Sequence, residues 1–422
     1  MSINEVIVWI LMICMVLGGI DRAIGNRFGL GEKFEEGINA IGPLALSMVG
    51  VYSLSPILAK LLGPIIRPLY ELVGADPAMF AGTLLANDMG GYPLAVQLTD
   101  NPDAQRLSGL VLGAMMGATI VFTIPVALGI IKDTDRPFLA RGVMAGVITI
   151  PLGVIVSGLV AGMDFGFVLR NSIPILLVAV LLALGLWFKA NAMTTGFLWF
   201  GKGLVFVISL GLVVGILQAM LGLFPEATDP NGGAAFVLAG GVGSDGAVTA
   251  SSWYMLPATD GFAIVALIAM ALAGAFPAVH LIITFGAKPL AAAGKLLGVN
   301  DVAAGGFVAT LANNIAMFEI MKDMDARGKI LNAAFAVSAA FAFGDHLGFT
   351  AGVDPEMIAP VISGKLVAGI FAVAVAYLLF SRTFSANAGA GKESSAVPSA
   401  GRGIAGGGAE TESDPRPTPD EG

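Results

Sequence analysis

The chain has 422 residues, of which 56% are hydrophobic and only 12% charged, and its mean hydropathy is +0.85. A soluble domain carries about 25% charged residues, so the composition excludes an ordinary globular protein and describes one membrane-embedded bundle. The net charge of −8 sits largely in the loops and the C-terminal tail, no basic run offers a nucleic-acid footprint, and one cysteine with two histidines at no zinc spacing leaves no disulfide, metal or cofactor to expect.

The N-terminal stretch "MSINEVIVWILMICMVLGGIDRA" has an acid but no Lys or Arg before its apolar core and no clear cleavage site, so it reads as a retained first span. Further apolar runs follow at 38–62, 77–98, 107–131, 137–162, 167–189, 200–223, 262–285, 301–321, 328–350 and 357–380. The amphipathic pieces 63–74 and 287–300 read as interfacial or re-entrant. Trp187 and Lys189 close one run and Trp199 and Lys202 open the next, as anchors at a membrane interface do. Residues 225–261 form a long acidic connection, extramembrane or re-entrant and too rich in glycine for a helix, and 384–422 read as a disordered acidic tail.

Two parts of the chain resemble each other. "SGLVLGAMMGATIVFTIPVALG" (108–129) lies without gaps against "RGKILNAAFAVSAAFAFGDHLG" (327–348), and "TLLANDM" (83–89) matches "ATLANNI" (309–315). The expected fold class is therefore an all-α polytopic membrane protein of about 11 transmembrane helices in two homologous repeats, with interfacial or re-entrant pieces and broken helices. The expected divisions are a first repeat at 1–162, a connecting span at 163–199, and a second repeat at 200–383. Counting spans makes the repeats parallel, whereas the reversed Lys/Arg bias around 107–131 and 328–350 makes them inverted.

Polar residues stand out against this background. An ionised acid at the centre of a membrane helix costs about 2.5–3.5 kcal/mol on insertion scales, so Asp88 in the run 77–98 marks a pathway unless Gly90, Gly91 and Pro93 end its helix at a solvated edge. Asn87 beside it, and Asn313 and Asn314 in the matching run, offer amides that either bind a solute or join helices. Asp345 and His346 lie between Gly344 and Gly348, and Gly344 sits opposite Pro125 in the repeat alignment, so both long runs are expected to break at the same place. The plainer alternative is a capped helix end among headgroups. Thr83 and Thr310 read as structural, His280 as a packing residue, and Glu319 as a solvated helix end.

The stretches "FEEGINAIGPLALSMVG", "MFAGTLLANDMGGYPLA", "TIVFTIPVALGII", "VATLANNIAMF" and "AFAVSAAFAFGDHLGF" together resemble the ethanolamine-utilisation transporter family. The resemblance covers residues 1–380. It implies a multi-pass permease of the bacterial inner (cytoplasmic) membrane that takes up ethanolamine for a cobalamin-dependent lyase in a microcompartment and needs no cofactor itself. Its expected partners are ethanolamine and the lipid bilayer, not nucleic acid, and a homo-oligomer is compatible with it.

Ethanolamine is a small amine, mostly protonated at neutral pH, with one hydroxyl. Asp88 is expected to pair the ammonium at a midplane site between the repeats, and Asn87, Asn313 or Asn314 to meet the hydroxyl. Asp345 and His346 complete the site or accept a proton. The rival readings are a carrier for another small cation or nucleoside-like solute, a passive channel, and an intramembrane enzyme using Asp345 and His346. No nucleophile–base spacing supports the last of these, so the chain is not expected to be an enzyme.

Overall fold

The computed structural model describes residues 2–393, and within them the side chains of all but residues 191, 283, 286–295 and 381–393. Helices dominate. In chain order they are α1 (Ile3–Ala23), α2 (Leu30–Asn39), α3 (Ile41–Leu72), α4 (Met79–Leu84), α5 (Gly91–Leu98), α6 (Pro102–Ile130), α7 (Arg136–Val147) and α8 (Ile150–Val160). There follow α9 (Phe165–Ala190), α10 (Ala192–Leu221), α11 (Ala258–Leu296), α12 (Asp301–Ala312), α13 (Asn314–Ile320), α14 (Ala326–Ala339), α15 (Asp345–Val353) and α16 (Ile358–Glu393). Among the described residues seven segments, one of them α2 with α3, are long and apolar enough to cross a bilayer, or eight where the bent pair α7–α8 counts as one span. The chain is an all-α polytopic membrane protein in its spanning part.

The runs 77–98 and 301–321 do not cross. Six residues of α4 and eight of α5 rise about 9 and 12 Å, against about 30 Å of hydrocarbon. The two ends of this run are tied together, because the Thr99 hydroxyl donates to the Asp76 carboxylate at 2.8 Å. The segment enters and leaves by one face, with Asn87–Met89 as a single 3₁₀ turn at its tip. The second run repeats the device. Asn300 donates to Asp325 and to the Asp323 carbonyl at its base, and α12 and α13 meet at an extended Asn313. The tip needs no proline, since position 316 is Ala.

The two hairpins enter from opposite faces. Arg106 at the start of α6 pairs with Asp354 after α15, and Lys329 at the start of α14 pairs with Asp135 just beyond α6. So α6 and the α14–α15 segment run antiparallel between two faces. The first hairpin has its base near Arg106, and the second has its base near Lys329. The Arg106 face also carries the N-terminus, since Asn4 bonds Glu356 and Ala359. The connection 225–261 lies there as well. It is not irregular throughout: it holds a three-stranded antiparallel sheet of β1 (Glu226–Thr228), β2 (Ala234–Ala239) and β3 (Trp253–Met255).

Expected breaks fall in only one of the two matched helices. Pro125 leaves α6 unbroken, because α6 is π-helical over Arg106–Gly117 and Thr119–Thr123 and returns to α-helix at Ile124, which puts the proline in a first turn where it needs no donor. Gly344 does mark a break: α14 stops at Ala339, Phe341 is left-handed, and α15 starts at Asp345. The pieces 63–74 and 287–300 are not separate interfacial helices; most of each continues α3 and α11. Residues 1–381 form one compact unit. In the second unit α16 continues through Glu393, past the point at 384 where the tail is expected to begin, and 394–422 lie outside the described residues.

A glycine stripe explains how the first hairpin docks. Gly109, Gly113 and Gly117 recur every four residues on one face of α6, and small residues at that spacing let backbones approach closely. Tyr92 covers Gly109, the Asn87 amide covers Gly113, and the Leu85 carbonyl covers Gly117. A Cβ at 117 would overlap that carbonyl. Gly117→Leu is therefore expected to cost about 1–3 kcal/mol of overpacking, read as a lower thermal midpoint in detergent; an unchanged midpoint would remove the docking argument.

Candidate functional site

Breaking a helix at membrane depth frees backbone groups that need partners. At the first tip the Gly91 amide closes onto the Ala86 carbonyl, with Gly90 left-handed between them. At the second, the broken stretch after α14 pairs with the end of α12: the Phe341 and Phe343 amides donate to the Thr310 and Leu311 carbonyls. These bonds fix Asp88 and Asp345 near the middle of the bundle, each at the start of a short helical segment.

Asp88, Asp345 and His346 line one small cavity of about 20 Å³, closed by Ala86, Ala118, Phe122 and Phe341. Asp345 also lines a second cavity of about 120 Å³ with Lys33, Glu36, His280, Ala312 and Asn313. That cavity reaches the surface where the half-exposed Lys33 and Glu36 pair at 2.5 Å. Asn87 and Asn314 are fully buried and line neither cavity. Asn314 donates to the Thr123 hydroxyl at 2.9 Å, while both polar atoms of the Asn87 amide have no partner. Burial pairs Asn87 with Asn314, which matches the shared spacing from Thr83 and Thr310; those two hydroxyls donate back to the Met79 and Gly306 carbonyls of their own helices.

Toward the Arg106 face lies a vestibule of about 520 Å³ lined by Tyr52, Tyr92, Gln97, Gln105, Asp229, Asp260 and Phe349. Its floor includes Tyr92 and Phe349, in edge contact at 6.5 Å. Phe349 lies one turn beyond Asp345 on α15, and Tyr92 lies in the first turn of α5, directly after the turn that carries Asp88. His280 lines the second cavity, and Glu319 is exposed.

One group escaped the sequence reading. Lys365, in the last apolar run, is only 1% exposed. Its Nζ donates to the Ala114 carbonyl of α6 and lies 3.0 Å from His346 Nδ1. A lysine alone in an apolar span is the same anomaly as Asp88 and could have been found on that ground. The resulting cluster holds two carboxylates, one ammonium and one imidazole, which suits binding of a small cation. Among the described residues no group of His, Cys, Asp and Glu could hold a metal ion.

The family described as "Ethanolamine utilisation protein, EutH" matches residues 3–379. A Listeria monocytogenes protein named "Probable ethanolamine permease EutH" is 53% identical over 397 residues, covering 94% of this chain and 99% of its own length. A Salmonella typhimurium protein of the same name is 47% identical over 408 residues, covering 90% and 96%. Bacillus subtilis "Uncharacterized protein YxeR" is 43% identical over 376 residues, covering 89% and 95%. No solved structure matches.

The Asn314–Thr123 bond tests whether the second tip is held as described. Thr123→Val strands a buried amide and is expected to cost about 1–3 kcal/mol, seen as a lower melting midpoint; a midpoint equal to the parent's would contradict the bond.

Proposed function

This chain belongs to the ethanolamine utilisation protein EutH family, and we propose that it is a membrane transporter that takes up ethanolamine as the ammonium ion at the Asp88–Asp345–His346 cavity. The observation that carries the reading is that two carboxylates from different parts of the chain share one cavity at the meeting of a hairpin tip and a helix break. A buried carboxylate replaces the lost hydration of an ammonium. The Asn313 amide, across the second cavity from Asp345, offers a partner for the hydroxyl. Asn87 and Asn314 serve the tips that carry the site rather than the solute.

The two cavities support a reading by alternating access. In this conformation Asp345 opens through the second cavity to the Lys33–Glu36 surface, and the Tyr92–Phe349 pair separates the cluster from the vestibule. Parting those rings while the second hairpin closes would expose the same carboxylates to the other side. The two hairpins with opposite entry, each followed by a helix of opposite direction, support inverted repeats within 1–162 and 200–383.

Charge supports an orientation. Arg22, Arg27, Lys132, Arg136, Lys322 and Lys329 flank the spans on the second hairpin's face, whereas the sheet and vestibule on the other face offer Asp229 and Asp260. By the positive-inside rule the basic face is cytoplasmic. The acidic vestibule then faces outward, where it gathers cations. The bacterial inner membrane fits this arrangement, and a homo-oligomer is compatible with it.

In proteoliposomes, Asp345→Asn is expected to lower uptake of labelled ethanolamine by about tenfold or more at subsaturating substrate, with the protein still monodisperse in detergent. Uptake at the parent rate would refute the site. For orientation, Ser244→Cys in a Cys14→Ala background should react with an impermeant maleimide on cells whose inner membrane is intact but outer face accessible; labelling only after lysis would reverse the assignment.

A further inference from the structure

The cluster holds more charge than an ammonium-binding site requires. Asp88 and Asp345 bring two negative charges to one small cavity, and the buried Lys365 reaches its wall through His346. The two carboxylates are not equivalent. Of the two, Asp345 has a route to the surface through the second cavity, while Asp88 shares the small cavity with His346, which Lys365 contacts. Lys33 lines the second cavity with Asp345 but is engaged by Glu36. Asp345 also lines both cavities, whereas Asp88 lines only the small one.

Resting on that reading of the site, we propose that Lys365 is the standing counter-ion of Asp88, which leaves Asp345 as the carboxylate that takes the substrate's ammonium. Lys365 is held for this role by the Ala114 carbonyl, and with its Nζ donating to His346 Nδ1 the imidazole proton sits on Nε2. The Asp88–Lys365 pair sums to zero. One uncompensated negative charge then remains, and a monovalent cation balances it. Lys365 thus sets which charge the site accepts while remaining off the solute itself, and Asp88 contributes shape and polarity at the hairpin tip.

The test is a charge-deletion cycle on the full-length purified protein, read by binding of labelled ethanolamine and by thermal midpoint. Asp88→Asn leaves Lys365 unpaired next to the site and is expected to weaken binding by about 30-fold or more. Adding Lys365→Met to Asp88→Asn removes the stranded charge, so both binding and midpoint recover toward the parent. Asp345→Asn abolishes binding in either background. The inference is overturned if the double variant stays as weak as Asp88→Asn in both readouts, or if Asp345→Asn binds like the parent. If the parent binds no ethanolamine, the functional reading fails instead. Recovery of the midpoint in the double variant would then still establish the Asp88–Lys365 pairing, and its absence would still refute it.

Discussion

Backbone polar groups cannot go unpaired at membrane depth, and the architecture around the site follows from that constraint. A carboxylate near the middle of the bundle is carried here on interrupted helix, and every interruption needs a surface that accepts it. The glycine stripe of α6 accepts the first tip, and the end of α12 accepts the break after α14. Because α6 and α14–α15 are antiparallel, their docked hairpins come from opposite faces and meet in depth. The position of the carboxylates is thus a consequence of where backbone can be satisfied. The wide π turns of α6 belong to the same solution, since they carry the stripe and include Ala114, whose carbonyl accepts from Lys365.

Much of this was legible in residue patterns. The apolar runs, the polar intrusions at Asp88 and Asp345–His346, and the match between the two asparagine motifs all appear before any coordinates. What hydropathy could not reveal was chain reversal. A run of apolar residues looks alike whether it crosses or turns back, and only the bonds at the hairpin bases, Thr99 to Asp76 and Asn300 to Asp325, distinguish the two. Recognising two runs as hairpins removes the conflict between the span count and the loop charges, because the parity of crossings changes.

Other departures have equally local causes. Pro125 was read as a breaker because its consequence was judged on α-helical geometry, and a preceding π segment absorbs it. Asn87 and Asn314 stand out in the sequence because amides in apolar runs are costly; both are buried at the tips, where Asn314 bonds Thr123 and the Asn87 side-chain amide has no protein partner. Lys365 is an amine, so it does not stand out among the acids and amides expected to bind an ammonium. Its contacts to Ala114 and His346 lie in other helices and leave no mark in the sequence around it.

The lysine also changes what the asymmetry of the two halves means. One tip carries Asp88 and the other Asn313, so symmetry alone would place the substrate's charge on the first tip. On the proposed assignment, however, Lys365 already balances Asp88, which then has little to gain from a second cation. The unmatched negative charge lies on the broken crossing helix, between the two cavities. A neutral solute would leave that charge uncompensated, and a dication would exceed it. On that assignment, selection for a single positive charge needs no further device than one uncompensated carboxylate at the meeting of the two cavities.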